Sequence, residues 1–87
     1  MGKLQKHADV CSELRRIYAL KNADYGDSFG KSLDEFGPIA FVVRASDKME
    51  RLKQLVKSEA KVKGESFDDT VSDLANYCIM YLMEGKR

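Results

Sequence analysis

Tryptophan is absent from this 87-residue chain, and proline and histidine occur once each. No CxxC or Cys/His pattern suggests a zinc site, and the single His7 sits near the start of the chain. Two cysteines, Cys11 and Cys78, are fewer than a secreted domain of this size usually carries. They are expected to be buried thiols of a cytosolic protein. Charge of one sign is lacking too: 15 basic and 14 acidic residues leave a net charge of +1. A dedicated nucleic-acid surface would need a clear basic excess, so charge does not indicate nucleic-acid binding. No apolar run approaches the ~20 residues of a membrane span. Met1 to Lys6 has no apolar stretch resembling a signal peptide, so the expected location is the cytoplasm. Repeats, low-complexity tracts and interdomain linkers are missing. There is no Ser-His-Asp arrangement, no P-loop and no GxGxxG. Hydrolysis by a side-chain nucleophile thus has no candidate, and any catalysis here would be metal-assisted.

What is present is a globular composition, 44% hydrophobic and 33% charged. The length fits a single domain, residues 1–87, with a limited core. Helical spacing dominates. Val10, Leu14, Ile17 and Tyr18 predict a first helix from about Leu4 to Lys21. The turn-forming stretch Asn22 to Ser28 is expected to break it, as a polar loop. A short helix then covers Phe29 to Phe36, and Gly37-Pro38 separates it from the next. A third helix runs from about Pro38 to Ser58. Val42, Ala45, Met49, Leu52 and Val56 form a heptad-like seam on it, suited to a near-parallel helical neighbour. Lys61 to Glu65 reads as a polar loop. The fourth helix, from about Phe67 to Glu84, starts at Ser66, with Asp69 completing an Asp version of the capping box. Its apolar stripe is Val71, Leu74, Ala75, Cys78, Ile79 and Leu82, and Gly85 is a plausible stop. The expected fold is all-α: a compact helical bundle of three longer helices plus one short one. Cys78 to Met83 reads CIMYLM, apolar on every side of a helix, which one neighbouring surface does not cover. A homo-oligomer is therefore expected.

Three polar groups stand out. The first is Lys21-Asn22-Ala23-Asp24-Tyr25-Gly26-Asp27-Ser28. Its aromatic can stack a base, and its Asn and Asp residues can read hydrogen-bonding edges or hold a metal. The ordinary reading is a turn with helix caps. The second is Arg44, Asp47, Lys48 and Arg51, either a solvated flank or a cationic edge that meets phosphate. The third is Asp69, Asp73 and Asn76, which stack on one face of the fourth helix, roughly opposite its apolar stripe. Two carboxylates one turn apart can share a Mg²⁺ with substrate phosphate. The ordinary reading has Asp69 capping the helix and Asp73 exposed. Yet that face continues into Met80 and Tyr81, which a purely solvated face does not usually do.

These residues also carry a resemblance. Tyr18, KNADYGDSF at Lys21 to Phe29, Phe36-Gly37, Arg44, Asp47-Lys48 and Arg51-Leu52 are followed by Glu65-Ser66, Asp69-Thr70, Asp73-Leu74-Ala75 and Tyr77. Together they resemble the nucleotide modification associated domain 1 family, over roughly residues 14 to 82. Members are small, often phage-encoded proteins. The resemblance implies a link to nucleotide or DNA-base modification. It raises Asp24, Tyr25, Asp27, Asp47, Asp69 and Asp73 above the ordinary reading as site candidates. By their own chemistry Lys21, Asn22, Asp24, Tyr25, Asp27, Ser28, Arg44, Lys48, Arg51, Asn76 and Tyr77 are the ligand-binding candidates, and Asp47, Asp69 and Asp73 the metal candidates, for Mg²⁺. A looser similarity is to the all-α nucleoside triphosphate pyrophosphohydrolases, which bind Mg²⁺ through paired acidic motifs. Here Asp47 and Glu50 make a DxxE, and Asp69 and Asp73 a DxxxD, but the doubled glutamate motif is missing. The leading expectation is a nucleotide-handling protein, Mg²⁺-dependent and phosphohydrolase-like. The alternatives are a non-catalytic protein that captures a nucleotide or nucleotide-derived signal, and a helical interaction module.

Overall fold

Helix α1, Lys3–Leu20, leads after a single residue, Lys21, into α2, Asn22–Phe36. Gly37-Pro38 separates α2 from α3, Ile39–Ser58, and the last helix is α4, Phe67–Glu84. This computed structural model describes residues 2–58 and 66–84, without the side chains of residues 23–27 and 58. The expected loop at Lys61 to Glu65 and the stop at Gly85 lie outside the described residues. Among the described residues all regular structure is helical, as the periodicity predicts.

The first two helices differ from expectation. Lys21 donates its backbone N–H to the Ile17 carbonyl at 3.0 Å, which closes α1. The chain then re-enters a helix at once, so Asn22 to Ser28 is the opening of α2 and not a loop. Asn, Asp and Ser favour turns, but they are also favoured where a helix begins, and a carboxylate there meets the positive end of the helix dipole. Gly26 costs about 1 kcal/mol in a helix. Burial of Phe29 and Leu33 further along α2 outweighs it. The predicted short helix is thus 15 residues long, still the shortest of the four. Gly37 ends it with φ +77° and its N–H on the Leu33 carbonyl at 2.8 Å. Its ψ of −160° places it in a region that side chains strongly disfavour.

The core joins Phe29 and Leu33 of α2 to Met80 of α4, with Tyr18, Ala40, Phe41, Tyr77 and Tyr81 packed around them. Phe29 and Tyr77 meet edge to face, their centroids 5.1 Å apart. The α3–α4 contact is the most extensive in the fold. In α3 the buried side is Leu52 and Leu55, continued by half-buried Phe41, Arg44, Ala45 and Lys48. The predicted seam is therefore rotated by about one residue: Val42, Met49 and Val56 are exposed. Stacking of Phe41 on Tyr81, centroids 5.2 Å apart, fixes that rotation.

Helix α4 is turned the other way from its predicted packing. The capping box forms: Asp69 N–H donates to Ser66 Oγ at 2.9 Å, and Ser66 N–H to Asp69 Oδ2 at 3.2 Å. Beyond it, Thr70, Asn76 and Met80 are buried and Asp73, Tyr77 and Tyr81 half-buried. Val71, Cys78, Ile79 and Leu82 of the predicted stripe face outward. Polar groups go inward because each finds a partner, which removes most of the cost of burial. Asn76 Nδ2 donates to the Leu14 carbonyl of α1 at 3.2 Å, and Thr70 Oγ1 to the Ser66 carbonyl at 3.4 Å. The expectation of buried thiols fails for the same reason. Cys78 lies on the outer face of α4, and Cys11 is exposed on α1, which has no fully buried residue.

Candidate functional site

The three polar groups of the sequence meet at one carboxylate. Asp73, on the inner face of α4, places Oδ1 3.3 Å from Lys21 Nζ and Oδ2 3.4 Å from Lys48 Nζ. Lys21 is the hinge between α1 and α2, and Lys48 lies midway along α3. One residue from each group is thus drawn to a point where four helices meet. Two ammonium groups on one carboxylate leave a net positive charge. Both lysines keep part of their side chains in solvent, 48% for Lys21 and 30% for Lys48, so an incoming anion can reach them.

The start of α2 adds to this. Lysine has no acceptor, so Lys21 at the N-cap position cannot satisfy the first N–H groups of α2. Those donors and the positive end of the helix dipole lie directly after Lys21 in the chain. Arg44, half-buried, is one turn before Lys48 on the same side of α3. It also borders a cleft of about 430 Å³ lined by Ser32, Phe36, Ile39, Ala40 and Val43.

The remaining candidates divide. Tyr77 sits one turn after Asp73, its ring against Phe29. Asn76 is fully buried and ties α4 to α1, on the border of a second cleft of about 320 Å³ with Cys11, Arg15 and Tyr18. Ser28, Asn22, Asp47 and Arg51 are exposed. Asp24, Tyr25 and Asp27 lie in the first turns of α2, and their side chains are outside the description. Arg15 and the apolar walls of the α2–α3 cleft were not marked by sequence reasoning. Phe36, Ile39 and Val43 carry no polar signal, and only the turn at Gly37-Pro38 folds them together.

As placed, Asp47, Asp69 and Asp73 do not make a cation cage. Asp69 is engaged in the capping box, and the charge of Asp73 is met by two ammonium groups. Among the described residues no three His, Cys, Asp or Glu side chains converge as metal ligands.

An all-α protein whose helices converge on a lysine pair bridged by one aspartate is the class that this geometry defines. The chain belongs to the family described as nucleotide modification associated domain 1, whose model matches residues 21–84. The match begins at Lys21 and so contains Lys21, Lys48 and Asp73, with α1 outside it. No curated protein and no solved structure matches the chain. No helix among the described residues is long and apolar enough to cross a membrane.

Proposed function

We propose that this protein binds a nucleotide, or a nucleotide-derived molecule, through its phosphates at the junction of α1 and α2. The observation that carries the reading is the bridge from Asp73 to Lys21 and Lys48. Phosphate recognition needs cations held in place and a route from solvent, and the lysine pair offers both. The first turn of α2 supplies backbone donors, Arg44 extends the cationic side, and Tyr25 takes the base by stacking. Asp73 acts as a counter-charge that holds the lysines apart and ordered before the ligand arrives. In this reading binding does not depend on Mg²⁺: any Mg²⁺ at the site comes with the phosphates and not into a preformed carboxylate cage. The family's link to nucleotide modification agrees with such a ligand. The cytoplasm, where nucleotides are held, is the matching location.

The test is thermal unfolding against a panel of nucleotides, each with and without Mg²⁺. A ligand specific to the folded state raises the midpoint by mass action, worth about 2.7 kcal/mol at a hundredfold excess over Kd. A shift with nucleotide alone, reduced in Lys48→Gln, supports the reading. A shift that needs Mg²⁺, together with turnover, replaces it with the phosphohydrolase reading. No shift with any nucleotide overturns it.

A further inference from the structure

The cleft between α2 and α3 is built differently from the lysine site. Its walls are Phe36 of α2 and Ile39 and Val43 of α3, which are 62%, 55% and 53% exposed although they line one hollow. Ala40, between them, is packed against the buried Phe29, Leu33 and Met80, so this side of the cleft is anchored in the core. Gly37, its N–H on the Leu33 carbonyl at 2.8 Å, holds the turn that joins the walls. At about 430 Å³ the hollow falls within the roughly 300–1000 Å³ of small-molecule sites.

Two polar side chains border it. Ser32 Oγ donates to the Ser28 carbonyl at 3.1 Å, so its proton is taken. The other is Arg44. Its cationic neighbours further along α3 are all engaged: Lys48 meets Asp73, Lys53 lies 3.2 Å from Glu50, and Arg51 also has a partner. Half-buried Arg44 makes no hydrogen bond and no ion pair among the described residues. A charge drawn partly out of water is normally paired. An arginine can also lay its stem on apolar surface and keep its head in water. Here that surface is concave, so the guanidinium and the apolar walls are offered to the same ligand.

This contrast defines the ligand. The side-chain donors left free at the cleft belong to Arg44 alone, and the remaining walls are apolar. A matching molecule has one acceptor end and an apolar body. The planar fork of a guanidinium fits a carboxylate with two parallel hydrogen bonds. Its single positive charge matches a monoanion, whereas the several charges of a phosphate chain are better met by the lysine pair and the start of α2.

We propose that the α2–α3 cleft binds a small carboxylate with an apolar body, its carboxylate on Arg44 and its body against Phe36, Ile39 and Val43. The proposal does not rest on the nucleotide reading, although Arg44 borders both sites, and its test contains no nucleotide.

The experiment is titration of the full, isotope-labelled chain with acetate, butanoate, hexanoate and octanoate, read by amide NMR shifts, with octanamide as the uncharged control. Saturable shifts are expected around Ser32, Phe36, Ile39 and Val43. Affinity should rise with chain length, by up to about fourfold for each buried methylene. Octanamide should bind about tenfold more weakly than octanoate, the difference between a charged and a neutral hydrogen-bond partner. Arg44→Gln should weaken octanoate by a similar factor and leave octanamide unchanged. No saturable binding of any carboxylate overturns the proposal, and so does equal binding of octanoate and octanamide, or shifts centred elsewhere. A chain that dimerises through this cleft, becomes monomeric in Val43→Glu and ignores octanoate also overturns it, because the occupant is then a second copy. Octanoate and octanamide are compared on the native chain, so the result stands even where a variant fails to fold.

Discussion

Replacing Asp73 by Asn separates a counter-charge from a metal ligand. The substitution keeps the shape of the side chain and removes its charge, and it exchanges one of the two oxygens, now 3.3 and 3.4 Å from the ammonium groups of Lys21 and Lys48, for an amide nitrogen that cannot accept from them. Both pairs are partly solvated, so each contributes about 0.5 kcal/mol. The loss of stability is then about 1 kcal/mol, a fall in midpoint of about 4–8 °C for a domain of this size. Binding should move the other way. The site gains one unit of positive charge near the phosphate, and at ~5 Å in a water-like dielectric a unit charge is worth about 1 kcal/mol. Nucleotide affinity should rise roughly fivefold at low ionic strength, and the gain should shrink as salt screens it. The assay is calorimetric titration at low and high salt, alongside thermal unfolding without ligand. Asp73→Asn with its fold intact and its nucleotide binding abolished would refute the reasoning and make the carboxylate itself a ligand group.

Three further substitutions test the frame that holds the site. Ser66→Ala removes the acceptor of the capping box and should lower stability by about 1 kcal/mol in chemical denaturation, with nucleotide affinity unchanged. Asn76→Ala breaks the bond to the Leu14 carbonyl inside the fold; a loss of about 1–3 kcal/mol is expected, read as a fall in the thermal midpoint. Gly37→Ala forces a side chain onto a backbone at φ +77°, and should cost about 1–3 kcal/mol by the same measurement.

Local chemistry carried much of the fold into the sequence. Ser66 and Asp69 mark the start of α4 because a hydroxyl and a carboxylate three residues apart can each satisfy the other's backbone donor. The ends of α3 were legible from Gly37-Pro38 and from sustained helical spacing. The opening of α2 was not, because Asn, Asp, Gly and Ser serve turns and helix starts alike, and only the burial of Phe29 and Leu33 decides between them. The orientation of α4 was hidden for a different reason. Periodicity shows that two faces differ but not which one turns inward, and here both have an apolar share. The signal was Met80 and Tyr81 continuing the polar face of Asp69, Asp73 and Asn76. Of the site, the residue types were legible and their meeting was not. Lys21 and Asp73 are 52 residues apart, and nothing local couples them.

The most direct test of the account is titration of the native protein and of Lys48→Gln with the nucleotide that gives the largest thermal shift, in the presence of EDTA. The account predicts that the native protein binds without a divalent cation, and that Lys48→Gln binds about tenfold more weakly, the loss of one charge-assisted contact of about 1.5 kcal/mol, while keeping its fold. Equal affinity of the two proteins, or binding that vanishes with EDTA, would contradict it.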